Sequence, residues 1–493
     1  MNREKKLTYN TISSLTKQFV VLICGFILPR LFLTNYGSTV NGLVSSITQF
    51  LSLAAIFDAG LGVVIEASLF KPLAKSDTLE RDKILTSAQK LYNHFVQILF
   101  VYVVGLAVLY PFKVLNSFEY VYTLTLIIAI SISSFGQYCF GVTRSVLLSA
   151  DQRSYINNFS YIGTTILNTI VAVVLIKFGC SIQVVKLASS LVFTLRPILL
   201  IWYVKRKYNI NWHTEYSKEP IKQKWNGLAQ HISALILANT DIVVLTLFST
   251  LQNVSIYSVY FLVINGIKEV ISAASIGIRS LMGDMLAKNE IYLLAKKFNS
   301  IEWIFHTITT LLFTITAILI CPFIKVYTLG VNDANYYVPV FAVLLCMAYA
   351  VNCLRTPYQS LIMAAGHFKQ TQASSIIEAV INIVVSIIVV SKFGIVGVAC
   401  GTLVAMLYRT VYLSWYLSHN ILMRPLEYFF KNLILDLVSM IVMMVSTNWI
   451  IMAQTNYLLW IVMALKVGII CLIECIIINM IFYPKEICNI LKK

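Results

Sequence analysis

Ionisable residues lie inside the long apolar runs of this 493-residue chain. The basic ones are Lys17, Arg30, Arg144, Arg196, Lys268, Arg355, Arg409 and Lys466; the acidic ones are Asp58, Glu66, Asp241, Glu269, Glu378, Asp436 and Glu474. A charge near the centre of a membrane helix costs about 2.5–3.5 kcal/mol on insertion scales, so such groups face a cavity or one another. Two arginine pairs share nearly one separation: Arg144 and Arg355 stand 211 positions apart, Arg196 and Arg409 stand 213 apart. In a duplicated bundle the members of each pair would face each other around a pseudo-twofold axis. Guanidinium groups grip phosphate oxygens bidentately, so such a cationic surface suits phosphate. The expected substrate-binding set is Arg30, Arg196, Arg355 and Arg409, with Arg144, Lys17 and Lys268 as further cations. The alternative is that the arginines snorkel from the cytoplasmic halves of their helices to lipid headgroups, which suits Arg144 best. Arg30, after Pro29, reads equally as an outer gate charge or an interface anchor.

The acids point to coupling or gating. Asp58 lies in Phe57-Asp58-Ala59-Gly60-Leu61-Gly62, where glycines allow close backbone approach and a carboxylate needs a partner. Asp241 lies in Asn239-Thr240-Asp241-Ile242-Val243-Val244-Leu245. Either could hold a coupling proton or a cation such as sodium, because burial disfavours an uncompensated carboxylate. The alternative for each is a structural salt bridge. Glu66 is the third candidate. Lys268 and Glu269 are neighbours on one helix and are expected to point apart and find separate partners.

No catalytic residue is expected, and no Gly-rich Lys-Ser/Thr nucleotide loop is present. The ten cysteines are scattered and read as small packing residues. His94, His213, His231, His306, His367 and His419 are equally dispersed, so no metal centre is expected. No cofactor is expected beyond the coupling proton or sodium ion.

The elements that hold these residues are membrane-length. Mean hydropathy is +0.80, with 58% hydrophobic and 12% charged residues, which excludes an ordinary soluble enzyme. A bilayer core of about 30 Å needs roughly 20 apolar residues per helix. On that scale the runs give about fourteen spans, near 11–33, 40–66, 90–112, 120–143, 155–177, 182–204, 225–250, 254–281, 300–328, 335–360, 370–392, 395–418, 432–453 and 457–483. The runs are continuously apolar rather than alternating, which makes them helices. The fold class is an all-α polytopic membrane protein.

The runs occur twice. Leu73-Ala74-Lys75 echoes Leu286-Ala287-Lys288, Pro111-Phe112 echoes Pro322-Phe323, and Lys177-Phe178-Gly179 echoes Lys392-Phe393-Gly394, at offsets of 211–215. The expected organisation is a six-helix lobe over 1–204, a basic cytoplasmic linker over 205–224, and a second six-helix lobe over 225–420. Two extra helices and a cytoplasmic tail follow over 421–493. Repeats with an even span count insert in the same orientation, about an axis along the membrane normal, and transporters often bind substrate between such repeats. The last two helices read either as packing additions, the safer view, or as a surface for a lipid-like substrate.

The net charge of +17 does not indicate nucleic acid, because Lys and Arg crowd every second loop. They include Arg3, Lys5 and Lys6; Lys71, Lys75, Arg81 and Lys83; Lys205, Arg206, Lys207, Lys218, Lys222 and Lys224; Lys288, Lys296 and Lys297; and Lys485, Lys492 and Lys493. That is the positive-inside pattern with both termini cytoplasmic. The first apolar run lacks a small-residue cleavage site and reads as an uncleaved helix.

Pro29-Arg30, Tyr36-Gly37-Ser38, Asn41-Gly42-Leu43 and Asp58-Ala59-Gly60-Leu61-Gly62 resemble the first two helices of bacterial polysaccharide repeat-unit flippases. These belong to the multidrug/oligosaccharidyl-lipid/polysaccharide exporter superfamily. Asn239-Thr240-Asp241 followed by Ser255-Ile256-Tyr257 resembles the seventh-to-eighth helix region of that family. In span count and repeat layout the resemblance covers essentially the whole chain. It implies movement of undecaprenyl-diphosphate-linked oligosaccharide from the cytoplasmic to the outer leaflet of a bacterial plasma membrane, by alternating access through a cationic cavity. It also implies service to capsule, exopolysaccharide or O-antigen assembly, with a polysaccharide polymerase and chain-length regulator as partners beside the bilayer and the lipid-linked substrate. Asp241 and Arg30 are the positions it carries over most directly.

Other readings are a drug or cation exporter of the same superfamily and a peptidoglycan-precursor lipid flippase. An acid-dominated cavity would suit cationic drugs better than this arginine excess. A membrane-embedded polymerase or acyltransferase would want a large outer loop or a His- or Asp-centred site, and the outer loops are short.

Overall fold

The computed structural model describes residues 3–484 and 486, apart from 59, 218, 222–227 and 289. Of the basic loop residues named above, Lys218, Lys222, Lys224, Lys485, Lys492 and Lys493 lie outside the described residues, as does Ala59. The helices of the first half are α1 (Arg3–Leu53), α2 (Ala55–Asp58), α3 (Leu61–Lys75), α4 (Thr78–Val114), α5 (Tyr120–Gly136), α6 (Val142–Ala150), α7 (Ser154–Lys177) and α8 (Ile182–Lys207). They are followed by α9 (Leu228–Phe248), α10 (Leu251–Ala287), α11 (Ile291–Tyr327), α12 (Pro339–Leu354), α13 (Thr356–Ala364), α14 (Gln372–Phe393), α15 (Ile395–Asn420), α16 (Glu427–Thr447) and α17 (Tyr457–Phe482). A π-helical turn, Gln137–Gly141, joins α5 to α6. The described residues contain no strand.

Twelve helices among the described residues are long and apolar enough to cross a membrane. The first runs over Thr8–Leu53, 46 residues, or about 69 Å at 1.5 Å per residue, more than twice a hydrocarbon core of about 30 Å. It is two helices that meet at Gly37, whose φ of 83° breaks the helical path. Side-chain contacts show the reversal. Before the bend, Lys6 pairs with Asp151 and Tyr36 reaches the Cys180 carbonyl, so this half runs parallel to α7. After it, Ser46 meets Tyr110, Phe50 meets Tyr102 and Asp58 meets Tyr92, antiparallel to α4. Counting this extra crossing and the shorter apolar helix Ile232–Phe248 brings the total to the fourteen expected. The boundaries differ in detail. The expected 40–66 span is broken near Ala54 and Gly60, and the expected 335–360 span is interrupted between Leu354 and Thr356.

The chain divides into two compact units within α9, between Asn239 and Thr240. The duplication is visible inside each. Helices α4 and α11 are both 37 residues long, and α8 and α15 are both 26. The left-handed turns match as well: Gln152 and Gly366 have φ of 56° and 75°, while Gly179 and Gly394 have 71° and 54°. The α5–α6 helix is disturbed just before Arg144, and α12 ends just before Arg355, the repeat partner. One core joins Leu69, Leu85, Tyr92, Leu147 and Leu200 on α3, α4, α6 and α8. Its counterpart joins Met282, Phe298, Tyr358 and Leu417 on α10, α11, α13 and α15. Outside these cores the spans present large apolar side chains such as Phe100, Val101, Leu109, Ile388 and Leu465. That surface is stable only in hydrocarbon, and the chain is a multi-pass membrane protein.

The described part of the expected linker is docked on the first unit. Arg81 donates to the Asn209 carbonyl at 2.8 Å, Asp82 accepts from the Asn211 amide at 3.0 Å, and Ser87 donates to Glu219 at 2.5 Å. Ile221 is buried in the α3–α4–α6–α8 core. A polar segment therefore acts as a strap over the end of α4.

In the second unit α14 and α15 pack closely because Gly397 and Gly401 lie one turn apart on α15. A Cβ at Gly397 would stand 2.6 Å from the Val389 carbonyl, and one at Gly401 would stand 2.2 Å from Ser386 Oγ. Small residues spaced by four let membrane helices approach in this way. Gly401→Ala should destabilise the unit by roughly 1–3 kcal/mol through overpacking, read as a lower thermal unfolding midpoint in detergent. Gly105→Ala, with nothing within 4 Å of the added carbon, should leave the midpoint unchanged.

Candidate functional site

The first unit brings two expected cations to one aromatic ring. Parallel packing of α1 on α7, and antiparallel packing of α7 on α8, places Lys17 and Arg196 beside Tyr161. Lys17 Nζ lies 5.0 Å and the Arg196 guanidinium 4.9 Å from the ring centroid. Cation–π attraction holds each without cancelling its charge. Arg196 also donates to Asn157 Oδ1 at 2.8 Å, while its Nε is buried without a partner. None of the ion pairs among the described residues joins a carboxylate to either cation. Farther along the same pair of helices, Lys186 of α8 lies 4.3 Å from the Phe32 ring of α1. Lys186 was not singled out in the sequence, because it sits one turn inside an apolar run and reads as a helix-end residue. Arg30 is half-buried two residues before Phe32.

The repeat partner of Arg196 is treated differently. In the second unit Arg409 and Arg355 converge on Glu378 of α14: Arg355 Nη1 bonds Glu378 Oε1, and Arg409 Nε lies 3.8 Å from Oε2. Arg409 is 3% exposed and also donates to the Thr371 carbonyl at 2.8 Å and to Ser374 Oγ. The spacing thus brought Arg355 and Arg409 together, but around a shared carboxylate that neutralises one charge. Arg144 does not reproduce the contacts of Arg355. It donates to the Phe140 carbonyl at 2.8 Å and stacks 4.6 Å over Trp212 of the strap.

The acids separate into distinct settings. Asp58 accepts from Tyr92 at 2.9 Å. Glu66 is half-buried on α3. Asp241 is 4% exposed and surrounded by neutral donors: Tyr257 at 2.6 Å, Thr402 at 2.8 Å to either oxygen, and Asn382 at 3.3 Å. No basic side chain among the described residues forms an ion pair with Asp241. Asn382 Oδ1 is buried with no partner. The carboxylate, the Thr402 hydroxyl and that amide oxygen make an oxygen-rich pocket able to take one positive charge, a proton or a hard monovalent cation. The expectation for Lys268 and Glu269 is corrected: their side chains bend back toward each other to 3.9 Å. Both are long and partly exposed, so adjacency on the helix does not keep their tips apart.

A group that sequence spacing did not reveal lies in the second unit. His306, Asp436, Glu302, Tyr358 and Arg424 come from three helices and a loop to form one buried polar cluster. Only the presence of Glu302 and His306 one turn apart on one apolar run could have signalled it.

No family model matches the sequence, and no curated protein matches it. Solved structures do. A lipid II flippase MurJ in an inward closed conformation has a TM-score of 0.73 at 15% identity, over 97% of this chain and 99% of that one. An inward-facing multidrug resistance MATE family transporter of the MOP superfamily scores 0.60 at 13% identity, over 83% of this chain and 98% of that one. The Vibrio cholerae MATE transporter VcmN in its bent form scores 0.55 at 13% identity, over 85% and 98%. The chain has the fold of these flippases and transporters. At such identities the likeness concerns the fold alone.

Removing one member of a buried ion cluster leaves the other charge uncompensated and costs about 3–5 kcal/mol. Glu378→Gln should therefore lower the unfolding midpoint strongly, by stranding Arg409. Arg196→Gln should lower it far less, because no carboxylate is left behind. Unfolding curves of the two variants in the same detergent check the contrast.

Proposed function

We propose that this protein is a lipid-linked oligosaccharide flippase of the multidrug/oligosaccharidyl-lipid/polysaccharide exporter superfamily. It moves undecaprenyl-diphosphate-linked repeat units by alternating access from the cytoplasmic to the outer leaflet of a bacterial plasma membrane. The observation that carries this reading is the pair Lys17 and Arg196, two cations on one tyrosine with no carboxylate among the described residues to neutralise them. A diphosphate supplies that missing charge, and Arg binds it bidentately where Lys acts as a point charge. The fold shared with a lipid II flippase over nearly the full length, and with the MATE structure over about five sixths, is compatible with alternating access for either substrate class. The absence of acid dominance around the cation pair supports an anionic substrate. Capsule, exopolysaccharide or O-antigen assembly, with a polymerase and chain-length regulator acting on the product, is the setting this activity serves. The distribution of basic loops supports cytoplasmic termini in this reading.

The coupling ion in this proposal is taken by Asp241. A carboxylate held by hydroxyl and amide groups alone is electrically incomplete in a membrane, so one cation or proton completes it. No cofactor is required.

The deciding experiment is depletion of the protein in its native host. Repeat units should accumulate on the cytoplasmic leaflet and polymer should vanish outside; unchanged intermediates with retained small cationic drugs would establish the exporter reading instead. Complementation should fail with Lys17→Gln/Arg196→Gln at normal protein levels. A second prediction concerns coupling: Asp241→Asn removes the charge and keeps one of the two acceptor oxygens. Flipping in proteoliposomes should then lose its dependence on a sodium or proton gradient, and retained dependence would remove Asp241 from that role.

A further inference from the structure

Helices α16 and α17 have no counterpart in the first unit, and they meet α11 along a polar seam. Ser300 donates to Glu486 at 2.9 Å, near the end of α11 that follows the basic segment Lys288–Lys297. Deeper along α11, Trp303 and Thr307 both donate to Asn479 Oδ1, at 2.7 and 3.1 Å. Tyr483 donates to Asn432 on α16. At the far end Thr310 donates to Asp436 Oδ1 at 2.7 Å, and His306 Nδ1 stands 2.5 Å from Asp436 Oδ2. A cavity lies along the inner part of this course, lined by Trp303, Thr307, Asn432, Ser439, Asn479 and Asp436. Ten residues of helix advance about 15 Å, half of a hydrocarbon core of about 30 Å. Along α11 the seam therefore covers a length equal to about half of that core.

The charge balance at its inner end is incomplete. Arg424 bonds Glu302 at 2.6 Å, and Glu302 accepts from Tyr358, whose hydroxyl lies 3.4 Å from His306 Nε2. Glu302 is 1% and His306 3% exposed. The titratable and charged groups facing His306 are Glu302 on its own helix, Tyr358 on α13, Arg424 before α16 and Asp436 on α16. Cys475 and Tyr483 flank Asp436 from the α17 side. Two carboxylates thus share one guanidinium. With a neutral imidazole the cluster carries one uncompensated negative charge inside the membrane, and one bound proton removes it.

We propose that His306 and Asp436 form a proton-binding site, distinct from Asp241, which exchanges one proton with the Glu486 end of the seam. The unrepeated helices then have a role: they complete the site and wall its access route. The proposal rests on the second unit alone and does not depend on the identity of the transported substrate.

The test uses full-length protein in lipid nanodiscs with isotope-labelled histidine, titrated between about pH 5 and pH 9 under infrared detection. The expected result is a one-proton imidazole transition that is lost in His306→Gln and displaced in Asp436→Asn. Asn479→Leu should leave the transition in place but slow hydrogen–deuterium exchange of its band. Should His306→Gln fail to fold, Thr310→Val removes only one hydrogen bond to Asp436 and should displace the transition likewise. A spectrum identical in wild type and both the Asp436 and Thr310 variants overturns the proposal, as does an imidazole that keeps one charge state throughout. Because no substrate is present, failure here is separate from failure of flipping.

Discussion

A charge that enters hydrocarbon must find its counter-charge inside the protein or draw one from a ligand, because water is not there to do it. The polar interior of this chain follows from that constraint. Arg355 and Arg409 are held in the second unit by Glu378, and Arg424 by Glu302. Asp241 has hydroxyls and an amide in place of a cation. Lys17 and Arg196 have an aromatic face and an asparagine. In the first group each arginine meets a carboxylate, two of them sharing Glu378. The others have no opposite charge beside them among the described residues, and a ligand or an ion could supply it.

The balance depends on backbone approach. Gly397 and Gly401 allow α14 to lie against α15 closely enough for Asn382 to reach Thr402 at 3.1 Å and for Glu378 to meet Arg409. The same pair of helices thereby builds both the neutral donor shell of Asp241 and the cluster around Glu378. A carbon atom added at either glycine would part the helices and loosen both. Packing and electrostatics are one design problem here, since a buried polar group is tolerated only where its partner's position is fixed.

Duplication supplied the scaffold and divergence supplied the function. The paired left-handed turns, the equal helix lengths and the two equivalent cores show the same unit built twice. The charges do not repeat. Thr164 stands 214 positions before Glu378, so Arg196 has no carboxylate where Arg409 has one. The unrepeated helices α16 and α17 add a polar seam to the second unit, with Trp303, Thr307 and Asn479 leading inward. One architecture therefore holds a cation pair without a carboxylate partner among the described residues in one unit, and buried carboxylates in the other.

The membrane class, the helical fold, the duplication and the approximate spans were legible in the amino-acid order alone. Hydropathy over some twenty residues and the requirement that every backbone group be satisfied within hydrocarbon leave few alternatives. The amino-acid order also marked Arg196, Arg355, Arg409 and Asp241 as ionisable groups within apolar runs. It did not show which of them were already neutralised. Glu378 and Arg409 are 31 positions apart, and His306 and Asp436 are 130 apart; only helix packing brings them together. The apparent symmetry of the arginine pairs was misleading for the same reason, because it records common descent while the net charge at each arginine is set by neighbours on other helices. Lys268 and Glu269 show the converse, since side-chain reach joined groups that helical geometry alone would part. Sequence determined what had to be buried, and tertiary structure decided which buried charges were left for a ligand, because electrostatic compensation acts through space over a few ångströms and not along the chain.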